Sequence, residues 1–241
     1  RDGVAGFRIN GEKMWTTGMH VASHCAVFAR TSGNDGDAGG ISCFLVPGST
    51  PGLSAASAEN KMGMRGSTTA QVLLDDAIVD ASRLVGDEGD GFTIAMAALD
   101  AGRLGISACA VGLAQAAYDE AVAYAQMRRQ FGQAISEFQG ISFMIADMAT
   151  SIEAARSLYL TAARRKDAGL PYSTQAAMAK LFATDMCMSV TTDAVQILGG
   201  AGYVQDFPAE RYFREAKVLQ IVEGTNQVQR LVIGRNALSA T

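Results

Sequence analysis

The sequence predicts an α+β protein: a region of short strands followed by a bundle of long antiparallel helices. Three observations carry the prediction. Up to about residue 88 the chain reads as short β-type runs broken by Gly and Pro. After Gly89-Asp90-Gly91 it reads as long Ala-, Leu- and Met-rich segments with apolar residues at helical spacing. Connections between those segments are as short as Ala168–Ser173, which favours antiparallel neighbours. The expected domains are residues 1–88 and 89–241, and 241 residues at 49% hydrophobic can bury the cores they need.

The elements follow in order. Ala5 to Asn10 and Glu12 to Thr17 flank Asn10-Gly11, a dipeptide suited to a two-residue hairpin turn. His24 to Arg30, Ile41 to Val46 and Ala70 to Leu74 are strands, separated by Gly- and Pro-rich loops. Phe92 to Met127 is the first long helix. Ile135 to Asp167 is the second, with Ile141, Met144, Ile145, Met148, Ile152 and Ala155 on its apolar stripe. Ser173 or Thr174 caps a third, which runs to Leu198 and halts at Gly199-Gly200. Two shorter helices cover about Ala209 to Ala216 and Thr225 to Leu238. Gly105 and Gly112 in the first helix read as points of close helix packing, whereas Gly102, beside Asp100 and Arg103, competes as a place where a ligand approaches the backbone.

Composition narrows the function. Net charge is −4 with Lys and Arg scattered, which disfavours a nucleic-acid partner. No uninterrupted apolar run reaches the roughly 18 residues of a membrane span. Cys25, Cys43, Cys109 and Cys187 form no C-x-x-C pair and only His20 and His24 accompany them, so no metal site and no disulfide framework is expected. Reduced thiols fit a cytoplasmic compartment, or the mitochondrial matrix as the alternative. The start at Arg1, already inside a strand pattern, reads as the C-terminal part of a longer protein.

Glu223 is the residue that asks for chemistry. It follows the apolar run Val218-Leu219-Gln220-Ile221-Val222 and precedes Gly224 at the start of the last helix. One reading is a surface acid favoured by the helix N-terminus, with Thr225 or Asn226 as cap and Gln229 at capping-box spacing from Asn226. The other is a partly desolvated general base, with Gly224 leaving room for a substrate and an exposed backbone N–H for a developing oxyanion. Local sequence leaves both open.

The segments "KMWTTG" (13–18), "LDAGR" (99–103), "MRRQFG" (127–132), "FQGISFMIADMA" (138–149), "QILGGAGYVQDFPAERYFREAK" (196–217) and "EGTNQVQR" (223–230) occur in the order in which similar segments occur in the acyl-CoA dehydrogenases. The chain resembles that family over essentially its whole length. The resemblance implies an FAD-dependent oxidation of an acyl-CoA thioester to trans-2-enoyl-CoA, electrons passing to an electron-transfer flavoprotein, and a homotetramer. It implies that the chain holds the middle β-barrel-like domain and the C-terminal antiparallel four-helix-bundle domain, with a helical N-terminal domain and a Thr-Glu-Pro-x-x-Gly-Ser segment expected before Arg1.

The resemblance also assigns residues. Glu223 is the base for the α-proton, and its backbone N–H helps hold the thioester carbonyl. Some relatives carry the base just before the arginine of "LD-x-x-R"; that position is Gly102 here, which argues against an isovaleryl-type substrate. Asp100, Arg103 and Gly224 are expected at the substrate. Trp15, Thr16 and Thr17 are expected at the flavin ring. Arg128, Phe131 and Gln139 are expected along the pyrophosphate and adenosine, where a guanidinium suits phosphate oxygens. Gln196, Gly199 and Gly200 are expected to approach the FAD of a neighbouring subunit, and Thr225 and Gln227 the flavin after the base. Thr16 and Gly18 depart from the commoner W-[IV]-T-N-G pattern, and Val222 replaces a tyrosine common before the base. Glu215, following Arg214, reads as its structural ion-pair partner. Two alternatives share the fold: an acyl-CoA oxidase relative, and a non-catalytic oligomeric scaffold.

Overall fold

A computed structural model of the chain describes residues 6–239; Ala5, the expected first strand residue, lies outside them. The chain divides into two compact units, residues 1–98 and 99–241.

The first unit carries β1 (Gly6–Thr17), β2 (His24–Arg30), β3 (Ile41–Pro47), β4 (Leu53–Ala55), β5 (Thr69–Asp80) and β6 (Leu84–Val85). They form two antiparallel three-stranded sheets, ordered β1-β5-β4 and β2-β3-β6, and no closed barrel among the described residues. Ile9, Val27, Phe44, Val46, Val72, Leu74, Ala77 and Val79 from both sheets make one core. On β5 the inward positions run Val72, Leu74 and then Ala77, Val79, so the period-two alternation slips by one residue.

That slip corrects the expected hairpin. Asn10-Gly11 does not turn: β1 continues through it and pairs with β5 on either side, Ile9 opposite Ala77 and Gly11 opposite Leu74. Asn10 faces two residues of β5, a β-bulge. Its amide donates to Asp76 Oδ1 at 2.9 Å and accepts from the Asp76 N–H at 2.6 Å. Asp76 takes a left-handed φ of 49° to make this fit. An Asn-Gly pair supplies a side-chain amide and a permissive backbone, and a long-range partner redirected both from a turn to a bulge.

The second unit is helical. α1 (Gly91–Met127) enters it from residue 99 and is followed by a small hairpin, β7 (Arg129–Gln130) with β8 (Gln133–Ala134). Then come α2 (Gln139–Asp167), α3 (Ser173–Leu198), α4 (Gly200–Tyr203), α5 (Ala209–Leu219) and α6 (Asn226–Ser239). α3 is the central helix. Ala176, Ala179, Ala183, Cys187, Val190, Ala194 and Ile197 are buried along it, and α2, α5 and α6 all pack against it. Burial pushes the Cys187 thiol up to about 12.

Four expectations change here. The second helix starts at Gln139 rather than Ile135, because Ile135–Glu137 forms a 3-10 turn. Ser173 does not cap α3; its hydroxyl donates to Asp100 Oδ1 at 3.0 Å. Gly105 and Gly112 are not points of close packing, since a Cβ on either would meet nothing within 4 Å among the described residues. By length and composition, moreover, α1 is long and apolar enough to cross a membrane, with a mean hydropathy of 1.5 in its most apolar window. Yet Ala110, Ala114, Ala117, Ala121 and Ala125 are fully buried at three- and four-residue spacing, the stripe of a helix packed inside a protein unit. Arg214 pairs with Glu210 one turn back at 2.6 Å.

The start of α6 behaves as one reading expects. Thr225 Oγ1 accepts from the Val228 N–H at 3.3 Å and caps the helix. Thr225→Ala is expected to lower stability by about 1 kcal/mol and Thr225→Ser to restore most of it, read by chemical denaturation.

Candidate active site

Glu223 sits in the turn between α5 and α6 with φ 55°, and Gly224 follows at φ 84°. Two successive left-handed residues reverse the chain sharply, and only the second is a glycine. A left-handed non-glycine residue is strained by about 1–3 kcal/mol and persists where its surroundings fix it. Among the described residues only Trp15, Met64, Asp76, Phe131 and Glu223 do so. Three of those five were singled out from sequence as site residues.

The turn aims the Glu223 carboxylate at α1. A Cβ built on Gly102 would stand 2.7 Å from the Glu223 Cδ and closer still to its Oε2. The approach to the Gly102 backbone expected of a ligand is thus made by Glu223 itself. One residue on, Arg103 is 5% exposed, and its guanidinium bonds Asp100 Oδ1 at 2.5 Å. Its Nε is buried with no hydrogen-bond partner among the described residues. A buried donor left without an acceptor costs about 1–3 kcal/mol, an expense typical of sites that receive a ligand. The Glu223 N–H likewise donates to no backbone carbonyl among the described residues.

Sequence reading missed the groups behind the turn. Lys180 on α3 is fully buried. Its ammonium donates to the Gly224 carbonyl at 3.0 Å and to Asn226 Oδ1 at 2.8 Å. Gln229, also fully buried, donates its amide to the carbonyls of Glu223 and Gly224 at 3.2 and 2.9 Å. The signal that could have found Lys180 is a lone cation on the alanine face of a helix, between Ala176 and Ala183.

Burial pushes the Lys180 ammonium down to about 8; Asp185 and Glu223 pull it back up and Arg103 pushes it further down. Below about pH 8 the folded and unfolded chains both carry this proton, and the folded state bears the full penalty of the buried charge. Between about 8 and the ordinary lysine value of 10.5 the folded state releases the proton first, so this group makes stability rise with pH. The expected result is a positive slope of unfolding free energy across that window, flattened in Lys180→Met, measured by denaturation at stepped pH.

The remaining predicted residues lie as follows. In the β unit, Trp15, Thr16 and Thr17 end β1; Trp15 has φ 60° and is 67% exposed. In the helical unit, Arg128 follows α1, and Phe131 at the hairpin tip is 94% exposed with its ring edge-on to Phe138 at 6.2 Å. Gln139 opens α2, and Gln196, Gly199 and Gly200 lie exposed at the end of α3, where Gly199 at φ 61° is the cap. Gln227 is exposed on the first turn of α6. None of Arg128, Phe131, Gln139, Gln196, Gly199 and Gly200 shares a hydrogen bond with the Glu223 turn among the described residues. An open cavity of about 550 Å³ in the β unit, between β1 and β2, contains none of the predicted residues.

A unit of antiparallel sheets is thus followed by a helical unit, in which an acid is held in a left-handed turn against a helix glycine. Residues 1–77 match the family described as acyl-CoA dehydrogenase, middle domain, and residues 89–238 that described as acyl-CoA dehydrogenase, C-terminal domain. The chain belongs to the acyl-CoA dehydrogenase family. It is 47% identical over 225 residues to the short-chain specific acyl-CoA dehydrogenase of Clostridium acetobutylicum, covering 93% of this chain and 59% of that one. The butyryl-CoA dehydrogenase structure from Megasphaera elsdenii superposes with a TM-score of 0.93 at 45% identity, over 96% of this chain and 60% of that one. A chain from the structural study of the electron transferring flavoprotein of Acidaminococcus fermentans superposes with a TM-score of 0.95 at 50% identity, over 97% and 61%. The chain therefore spans about 60% of the length of the relatives it matches.

Proposed function

We propose that the protein containing this chain oxidises an acyl-CoA thioester to the trans-2-enoyl-CoA, with Glu223 as the base that takes the α-proton. The observation that carries the reading is the Glu223 carboxylate, half-buried, fixed in a strained turn and set against Gly102 beside the part-buried Asp100–Arg103 pair. A carbon acid this weak needs its enolate charge stabilised as it forms, and the Glu223 N–H, which donates to no backbone carbonyl among the described residues, is the donor the chain would offer to the thioester oxygen. Arg103 and Asp100 would face the substrate, and the unpartnered Arg103 Nε supports that role. Gly224 keeps a side chain out of the approach.

The residues present fit FAD. Trp15 and Phe131 are large, exposed aromatics in left-handed backbone, strain that tends to gather at functional sites, and an exposed aromatic face can stack on a planar ring. Arg128 offers a guanidinium to phosphate, with Thr16, Thr17, Gln139, Thr225 and Gln227 as polar contacts. Gln196, Gly199 and Gly200 would serve the cofactor of a neighbouring copy in a homotetramer. When bound, FAD supplies the acceptor for the hydride that leaves the β-carbon. Similarity to the short-chain relative favours a short acyl chain, and similarity to the Acidaminococcus chain favours an electron-transfer flavoprotein as the acceptor. A cytoplasmic setting, or the mitochondrial matrix, suits the four free cysteines.

The full-length protein is expected to purify yellow and to bleach with butyryl-CoA under anaerobic conditions, re-oxidising slowly in air. Fast re-oxidation by oxygen would point to the oxidase instead. Protein that binds FAD but is not reduced by any acyl-CoA in a chain-length panel would point to the scaffold.

A further inference from the structure

We propose that Lys180 is a positioning residue for Glu223, acting with Asn226 and Gln229 as a buried clamp that holds the left-handed Glu223–Gly224 turn by its carbonyls. The inference rests on Glu223 being the base and extends that reading to the groups that aim it.

The turn has few other supports. It lies outside any helix or sheet ladder, so its carbonyls must find partners of another kind. Two buried side chains from different helices converge on them. Lys180 comes from α3, 44 residues away, and reaches Gly224 O, while Gln229 from α6 reaches both Gly224 O and Glu223 O. Asn226 locks the lysine in place. Its Oδ1 accepts from Lys180, and its Nδ2 donates to Thr184 Oγ1 at 2.9 Å and Asp185 Oδ1 at 2.7 Å. The backbone joins in, since the Asn226 N–H donates to Gln220 O at 3.0 Å and Gln220 Nε2 donates to Asp185 Oδ1 at 2.6 Å. The clamp thus spans α3, the C-terminal end of α5 and the first turn of α6.

A lysine is an expensive way to fill such a space. Leu or Met would pack against Ala176, Ala177 and Ala183 without the penalty of a buried charge. An ammonium does two things an apolar side chain cannot. It donates to the turn carbonyl and the Asn226 amide oxygen together, and it sets a positive charge behind a turn that carries a carboxylate. Its charged surroundings are Asp185 on its own helix, Arg103 on α1 and Glu223 on the turn. Release of the clamp would let the turn relax toward an ordinary backbone conformation and swing the carboxylate away from Gly102.

The test uses the full-length FAD-loaded enzyme and the variants Lys180→Met, Lys180→Arg and Gln229→Met. The expected result for Lys180→Met is a fall in kcat of about 10- to 100-fold, with KM and FAD content within about twofold of wild type. Lys180→Arg, which restores a cation and donors, should recover at least part of kcat. Gln229→Met, which cuts the same carbonyls from the other side, should show the same kcat-selective loss, and it decides the matter if Lys180→Met does not fold. A crystal structure of a folded variant should show residue 223 out of its left-handed conformation. Wild-type kcat in Gln229→Met, or a kcat loss in Lys180→Met with the Glu223 turn unmoved, would overturn the clamp. Failure of the underlying reading is separable, because it shows as wild-type bleaching in Glu223→Gln whatever the clamp variants do.

Discussion

Glu223→Gln in the full-length protein is expected to cut the rate of flavin bleaching by butyryl-CoA by on the order of 10⁴-fold while the protein stays yellow. The magnitude follows from loss of a positioned general base, worth about 10²–10⁴-fold. Gln is nearly isosteric, keeps the turn and its hydrogen bonds to Lys180 and Gln229, and removes only the ability to take a proton. The position that houses the base in some relatives is Gly102 here, and the carboxylate nearest to it on α1, Asp100, is engaged by Arg103 and Ser173. Stopped-flow absorbance under anaerobic conditions reads the rate, and the visible spectrum of the resting enzyme reads the cofactor.

Gly102→Ala separates activity from stability in opposite directions. Alanine is the better helix former by about 1 kcal/mol, so the variant is expected to be as stable as wild type or more so. Its methyl group would stand 2.7 Å from the Glu223 Cδ. The obstructing atoms are the far end of a flexible side chain, so the carboxylate moves and the helix does not. A displacement of about 1 Å at the reacting group is expected to lower kcat on the order of 10²-fold. Thermal melting and single-turnover bleaching on the same preparation check both halves. A variant that loses stability, or that keeps its kcat, would show that the carboxylate does not work from its position against α1.

Much of this was legible in the sequence wherever the controlling physics is local. β2 spans His24–Arg30 as read, and α3 ends at Leu198, where Gly199 adopts the positive φ a helix stop demands. Where a distant partner decides, local patterns mislead. Asn10-Gly11 has turn chemistry, but Asp76 captures the amide and the strand runs on. Ser173 is an apt cap, but Asp100, 73 residues earlier, takes its hydroxyl. Glu223 follows the same rule. Its identity could be read from "EGTNQVQR", and its likeness to a catalytic acid from the surrounding motifs. The strained turn could not be read, because its supports come from α3 and from side chains that look like ordinary helix residues. Lys180 in particular resembles a solvated charge until α6 packs across it.

The central claim is that Glu223 removes the α-proton, and hydrogen exchange at that carbon tests it without waiting for oxidation. The full-length FAD-loaded enzyme would be incubated in D₂O with an acyl-CoA analogue whose β-carbon is replaced by sulfur, so that no hydride can leave, and the α-hydrogens followed by NMR. The account predicts enzyme-dependent loss of the α-hydrogen signal with wild type and with Thr225→Ser, and none above background with Glu223→Gln. Exchange at the wild-type rate in Glu223→Gln would contradict it and assign the proton to another group.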